Sequence, residues 1–203
     1  MTVAIVPAAG KSERFGSAKL LADLGGEPLV ARTIRSLLSG GVDKLVLVVA
    51  RGGPLVDVRE PHEVFGAPAV SLVLNPDPDR GMFSSIQAGL AGDDSNADTI
   101  LVLPADMPFV SPRTVDAIRA ATAGRSEVVL PTCQDTHGHP IGLPGAFRRA
   151  VLEADPRSNL KAVLASAGAT YRELPVDDDG VLRDVDRVTD LPESEGKGRG
   201  PVV

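Results

Sequence analysis

V-A-I-V-P-A-A-G-K-S-E-R-F-G-S-A-K, Val3 to Lys19, decides how the rest of the chain is read. Val3–Pro7 is a short apolar run of strand length, and small residues, glycines and cations follow it at once. A strand that empties into a glycine-rich loop opens a βαβ unit, and its loop stands where a phosphate cradle belongs. Ala8, Ala9 and Gly10 keep side chains out of the way, so backbone N–H groups can approach a ligand closely. Lys11, Arg14 and Lys19 then put three cations within nine residues.

Further apolar runs recur at Leu45–Ala50, Val70–Leu74, Ile100–Pro104 and Val128–Pro131. Between them lie helical patterns near Pro28–Leu38, Pro54–Phe65, Ser84–Leu90 and Pro112–Ala121. Pro28 and Pro54 suit a first helical turn, and Ser111 before Pro112 reads as a cap. Fully apolar strands separated by helices predict a parallel sheet covered on both faces. Beyond Pro131 the pattern predicts helices over Leu143–Ala154 and Asn159–Ala167 and late edge strands over Tyr171–Val176 and Val181–Val185. The expectation is one α/β domain over residues 1–192, followed by a loosely ordered tail rich in Gly, Glu and Lys over residues 193–203.

Composition narrows the function. Of 203 residues, 43% are hydrophobic and 24% charged, the balance of a globular protein with a real core. A net charge of −6 argues against general binding to nucleic acid or an anionic membrane. A polyanionic ligand therefore has to be held by a local cluster such as Lys11, Arg14 and Lys19. The single cysteine, Cys133, excludes an intrachain disulfide and favours the cytoplasm; it reads as a partly buried strand residue rather than a nucleophile. Met1 to Ala9 reads as a strand rather than a secretory signal, and the longest apolar run, Leu45–Ala50, is too short to span a bilayer.

Two familiar phosphate loops do not fit. The Walker pattern needs glycine where Ile5 stands, and the dinucleotide fingerprint needs glycines where Ser12 and Phe15 stand. What remains is G-x-S-x-R-x-G-x-x-K, Gly10 to Lys19, a longer cradle. Elsewhere, L-V-L-P-A-D-M-P sets Asp106 just past the carboxyl end of a strand, the edge where open α/β sheets bind ligands. A carboxylate there can reach a Mg²⁺ that bridges triphosphate oxygens, or simply close a turn. Asp184 and Asp186 stand two apart on a strand pattern and so face one side; one of them completes a metal site, or the pair is a solvated acidic edge. Gly81-Met82-Phe83-Ser84-Ser85 leads a loop into a helix, where the two serines cap it or bond to a base. His137 and His139 lack a third ligand at zinc spacing.

The A-A-G-x-S-x-R-x-G-x-x-K stretch followed by L-L-A-D-L-G-G-E-P-L-V, Ala8 to Val30, resembles the signature of the molybdopterin nucleotidyltransferase (MobA-like) family. The resemblance implies a single-domain three-layer α/β/α, Rossmann-like, mostly parallel sheet of the nucleotide-diphospho-sugar transferase type. It implies that Ala8, Ala9 and Gly10 line the nucleoside, that Arg14 and Lys19 neutralise phosphates with Ser12 nearby, and that Asp106 binds Mg²⁺. Arg183 to Leu191 is similar to the family's D-I-D-T-P-E-D-L segment, with Val188 where proline is usual. Gly81, Met82, Ser84 and Ser85 resemble the cytidylyl-transferring branch, which points to CTP. Gly138, His139 and Pro140 resemble the acceptor-side segment, with His137 and Asp135 where arginine and glycine are usual. The implied reaction is in-line attack of an acceptor phosphate on the α-phosphorus of CTP, giving a molybdopterin cytosine dinucleotide for a molybdoenzyme or its chaperone. GTP, a sugar or polyol phosphate acceptor, a nucleotide-sugar glycosyltransferase suggested by Asp184-x-Asp186, and a non-catalytic pterin carrier stay open.

Overall fold

A computed structural model of the protein describes residues 1–10, 19–53, 55–56, 63–186 and 190. The strand of the opening motif, β1 (Thr2–Pro7), is buried along its whole length. It pairs in parallel with β2 (Lys44–Ala50) on one side and with β4 (Thr99–Val102) on the other. β3 (Val70–Asn75) adds in parallel outside β2. Beyond β4 the sheet becomes mixed. β7 (Ile141–Pro144) lies antiparallel between β4 and β5 (Val128–Cys133), while β6 (Thr136–His137) and β8 (Tyr171–Pro175) both pair with β5. The spatial order is β3-β2-β1-β4-β7-β5, with β6 and β8 on β5.

Period-two alternation along β1 sends Ala4 and Val6 to one face and Val3 and Ile5 to the other, which divides the core into two clusters. The first face is covered by α1 (Leu29–Ser39) and α3 (Pro112–Thr122). Leu29, Val30, Ile34 and Leu37 of α1 are fully buried, whereas Arg32 and Arg35 face outward. Burying each such side chain contributes about 1.5–3 kcal/mol. On the second face lie α2 (Met82–Gly92), α4 (Arg148–Glu153) and α5 (Leu160–Ser166). Phe83, Ile86, Leu90, Val151 and Leu164 pack there against Val46, Val48 and Ile100. The result is the expected three-layer α/β/α architecture with a mostly parallel sheet. Ser111 caps α3 as expected, accepting from Arg113 N–H at 3.2 Å, and the structure adds Asn159 as the cap of α5, accepting from Ala162 N–H at 2.9 Å.

Two expectations are corrected. Leu143–Ala154 is not one helix: its first residues belong to β7, and α4 starts only at Arg148 after a 3₁₀ turn over Gly145–Phe147. Val181–Val185 is not a strand. Asp179–Leu182 is a 3₁₀ turn, and the chain runs on without pairing as a strand. Its backbone bonds go to two separate places instead, from His139 N–H to Val181 C=O and from Val185 N–H to Asp106 C=O, both at 2.9 Å. The helix expected at Pro54–Phe65 lies mostly outside the described residues, and its end, Glu63–Gly66, is a 3₁₀ turn. The tail over residues 193–203 also lies outside them. Among the described residues no helix is long and apolar enough to cross a membrane.

Candidate active site

β1 and β4 leave the sheet side by side, and their connections run to opposite sides, so their carboxyl ends frame a switch point. After Val102 the chain keeps step with β1, with Leu103 N–H bonded to Ile5 C=O at 3.2 Å and Ala105 N–H to Pro7 C=O at 3.1 Å. Asp106 is thereby carried just past the end of β1. α1 clamps the loop that follows: Thr33 Oγ1 donates to Ala105 C=O at 2.9 Å, and Ser36 Oγ donates to Val110 C=O.

Lys19 opens a 3₁₀ turn (Lys19–Leu21) whose Leu20 is buried in the core, which fixes the base of the lysine. Its ammonium donates to Asp106 Oδ2 at 2.8 Å and to Asp186 Oδ1 at 2.9 Å. The Lys19 side chain is 9% exposed, against 28% for Asp106 and 53% for Asp186. Burial alone pushes this ammonium down; hydrogen bonds and charge from Asp106 and Asp186 outweigh it, so its pKa stands above the ordinary lysine value. Lys19 is therefore a fixed cation at neutral pH.

Asp186 reaches this position through tertiary contacts. The Val185 side chain is buried in the first core cluster, and its N–H bond to Asp106 C=O sets the next residue against the Asp106 carboxylate. Asp186 N–H in turn donates to Asp190 Oδ2 at 2.9 Å. The strand argument that put Asp184 and Asp186 on one side does not apply: Asp186 meets Lys19, while Asp184 is exposed and acts on His139 through charge. His139 is half-buried. Burial lowers its pKa below the ordinary histidine value, and Asp106 and Asp184 offset part of that. The neutral ring is thus favoured at pH 7.

Gly138 and Pro140 flank His139 and are buried. Gly138 N–H donates to Pro131 C=O at 2.8 Å. A Cβ there would run into the carbonyl of Val181, so glycine is needed for this close crossing. At the preceding hairpin Gln134 and Asp135 both have positive φ, 49° and 58°, as a two-residue turn between β5 and β6 requires. Cys133 is a buried strand residue, as expected.

The second loop departs in detail from its sequence reading. Ser84 and Ser85 are buried in the first turns of α2, and Asn75 Nδ2 donates to their hydroxyls at 2.9 and 3.0 Å. Ser84 Oγ also donates to Gly81 C=O at 2.7 Å, and Asn75 Oδ1 accepts from Asp77 N–H at 3.0 Å. The N-cap is Gly81, with φ 93° and no side-chain cap bond. The serines tie the loop to the end of β3. Lys11, Ser12 and Arg14 lie outside the described residues; among the described ones, Lys19 of the basic cradle meets the site carboxylates, and Ala8, Ala9 and Gly10 follow the end of β1. Among the described residues no group of three or more His, Cys, Asp or Glu converges on one point, and the carboxylates that meet Lys19 there are those of Asp106 and Asp186.

Asp178, which the sequence reading did not single out, holds the segment carrying Asp184 and Asp186. Its carboxylate accepts from Ser111 N–H at 2.9 Å, Thr114 Oγ1 at 2.6 Å and Gly180 N–H at 3.1 Å. The Asp178-Asp179-Gly180 spacing is an Asx-turn signal that marks such a residue. Three residues past Gly180, Arg183 lies over the Phe109 ring at 4.2 Å and holds the same segment on the loop after Asp106. Asp178→Ala is expected to cost about 2 kcal/mol for the lost charge-assisted bonds, about 4–8 °C in Tm for a chain of this size. Calorimetry checks the midpoint, and hydrogen exchange should speed up first over residues 178–186; an unchanged midpoint would make Asp178 a bystander.

A doubly wound sheet with a buried cation and paired carboxylates at its switch point defines an α/β nucleotide-binding fold. The chain matches the family model of the MobA-like NTP transferase domain over residues 4–172. It belongs to that family and is one of its nucleotidyltransferases. It is 34% identical over 116 residues to a probable molybdenum cofactor guanylyltransferase of Pyrococcus horikoshii, covering 57% of this chain and 54% of the relative. It is 28% identical over 195 residues to 2-C-methyl-D-erythritol 4-phosphate cytidylyltransferase of Frankia casuarinae, covering 88% of this chain and 68% of the relative. The chain thus spans about two thirds of the second relative and about half of the first. The fold is shared with Rv0371c of Mycobacterium tuberculosis H37Rv, with a TM-score of 0.76 and 24% identity over 93% of this chain and 94% of that one. Another structure of Rv0371c is a manganese complex, with a TM-score of 0.67 and 21% identity over 86% of this chain and 87% of that one. The family match ends before Asp178, Asp184 and Asp186, so these residues enter the site on the geometry alone.

Proposed function

We propose that the protein transfers CMP from CTP to the phosphate of a molybdopterin-type acceptor and releases pyrophosphate. The observation that carries this reading is the buried Lys19 ammonium between Asp106 and Asp186 at the carboxyl edge of the sheet. Two hard carboxylate oxygens that already converge on one cationic centre fit a divalent ion, which commonly takes one or two protein carboxylates and completes its shell with water and substrate phosphate. Asp106 and Asp186 would hold Mg²⁺, with Asp184 adding negative charge two residues away; the manganese complex of the structural neighbour is in keeping with a divalent ion. Bound there, Mg²⁺ supplies charge neutralisation on the triphosphate and aligns the α-phosphorus.

The rest of the reaction falls to the chain's own residues. Lys19 and Arg14, with Ser12 beside them, neutralise the phosphates. Ala8, Ala9 and Gly10 lie along the nucleoside. A Cβ on Gly10 would meet none of the described atoms within 4 Å, so packing among them does not call for glycine, whereas a base or ribose close against the backbone does. Gly138, His139 and Pro140 form the acceptor side, with the neutral His139 giving a hydrogen bond rather than a charge. The acceptor phosphate is already ionised at neutral pH, so no protein base is required and positioning dominates. With Ser84 and Ser85 engaged by Asn75, base selection rests on main-chain groups of the loop they brace. The lone cysteine and the charged substrates fit a cytoplasmic enzyme whose product passes to a molybdoenzyme or its chaperone.

A polyol phosphate acceptor is the second reading, favoured by the cytidylyltransferase relative that aligns over 88% of the chain. Pyrophosphate release measured with CTP, GTP and ATP against both acceptors separates the two. CTP with molybdopterin should exceed GTP by at least about tenfold, because a site built around one base leaves its polar groups unpaired with another. Faster release with GTP sinks the cytidylyl reading, turnover only with the polyol phosphate moves the acceptor, and binding of pterin without turnover leaves a carrier.

Lys19→Ala should lower kcat/KM by at least about tenfold, since one charge contact to the transition state is worth about 1.4 kcal/mol or more. An unchanged value removes Lys19 from the phosphate site.

A further inference from the structure

Lys19 stands in the place that the two carboxylates would offer a metal. Its Nζ lies 2.8 Å from Asp106 Oδ2 and 2.9 Å from Asp186 Oδ1, the distances of full charge-assisted hydrogen bonds. An ammonium and a divalent ion that took the same oxygens, each within about 3 Å, would repel at close range, so the two compete for them. The lysine is no casual occupant. Its side chain is nearly buried, and its base is locked by a turn whose Leu20 is in the core. The carboxylates are also held from behind, Asp106 by the Val185 N–H bond to its own carbonyl and Asp186 by the burial of Val185.

We infer that Lys19 and the divalent cation are competing occupants of the Asp106–Asp186 pair, so that the metal alone binds weakly and binds well only together with a nucleoside triphosphate. A polyphosphate gives Lys19 other oxygens to pair with, frees the carboxylates, and brings further ligands to the metal. Metal and triphosphate are then coupled through one side chain, and the coupling is reciprocal: each raises the affinity of the other by the same factor. Exchange of the ammonium from carboxylate to phosphate is the event that assembles the site. This inference rests on the reading of Asp106 and Asp186 as the metal carboxylates.

The test is binding rather than turnover. Mn²⁺ alone is titrated into the full-length protein and free Mn²⁺ is followed by electron spin resonance, first without nucleotide and then with CTP. Lys19→Met, which keeps the bulk and removes the charge, should bind Mn²⁺ without nucleotide at least about tenfold more tightly than the wild type. Lys19→Arg, which keeps the charge, should bind as weakly as the wild type. Mn²⁺ alone should also raise the melting temperature of Lys19→Met while leaving that of the wild type nearly unchanged, which keeps the test readable if the variant is destabilised by two facing carboxylates. Adding Asp106→Asn to Lys19→Met should abolish the gain. Equal or weaker binding by Lys19→Met overturns the inference, and it leaves the metal site standing if Asp106→Asn still abolishes Mn²⁺ binding in the presence of CTP. Mn²⁺ binding with CTP that is indifferent to both Asp106→Asn and Asp186→Asn overturns the metal reading itself and the inference with it.

Discussion

Asp106→Asn is expected to lower kcat/KM for pyrophosphate release by about 10³-fold, because a metal held by a neutral amide loses several kcal/mol of charge stabilisation and each 1.36 kcal/mol is tenfold in rate. The substitution preserves shape, and the amide oxygen can still accept from Lys19 Nζ, now at 2.8 Å from Oδ2. The fold around it should survive, since the loop is clamped through backbone carbonyls by Thr33 and Ser36 and not through the carboxylate. A rate loss with an unchanged melting temperature and a higher apparent metal requirement is the expected pattern. A variant within threefold of the wild type, at the same metal dependence, would show that Asp106 only closes its turn and anchors Lys19.

Gly138→Ala should lower stability by more than Asp178→Ala does. The new methyl would overlap the Val181 carbonyl, and both strands of the crossing are pinned, by Gly138 N–H to Pro131 C=O and by His139 N–H to Val181 C=O. Backbone held on both sides does not yield as the tip of a side chain would. The cost is about 3 kcal/mol, at the upper end for overpacking, and the melting temperature should fall by about 6–12 °C. Activity should fall as well, since the displaced segment leads to Val185 and Asp186. The experiment separates two roles for one residue. A normal melting temperature with a raised KM for the acceptor would make Gly138 a contact residue of the substrate rather than a packing residue.

Much of this protein is legible without coordinates. The five strands β1 to β5 fall where apolar runs predict them, most plainly β1, β2 and β4, which are buried on both faces and have no polar positions to hide. α1, α3 and α5 are equally readable, with Ser111 as the cap of α3 and charged residues on the outer faces. The merged helix over Leu143–Ala154 fails for a physical reason. Ile141–Pro144 is short and apolar, and nothing local distinguishes such a strand from the first turn of a helix. Its state is set by pairing with Thr99–Val102, some forty residues away in the chain.

The carboxyl-terminal segment shows the same limit at the site. Alternation predicts a strand over Val181–Val185, yet Asp178 binds the start of α3, Gly180 lies against the Phe109 carbonyl, and Val185 bonds to Asp106. Each of these partners is remote in sequence, so none could enter a local pattern. They turn the segment so that Asp186, and not Asp184, meets Lys19.

What the sequence by itself determined is the α/β class and the placing of its strands, and it raised the expectation of a phosphate loop over residues 7–19 with Lys19 and Asp106 as site residues. These follow from periodicity, from glycine spacing and from charge held in an acidic chain, all of which are local. Only the tertiary structure decided that Lys19 lies between two carboxylates, which member of the Asp184/Asp186 pair is the second, and that Ser84 and Ser85 spend their hydroxyls on the loop. Those outcomes depend on where segments up to 167 residues apart meet, and on which of several competing hydrogen-bond partners the fold brings within about 3 Å.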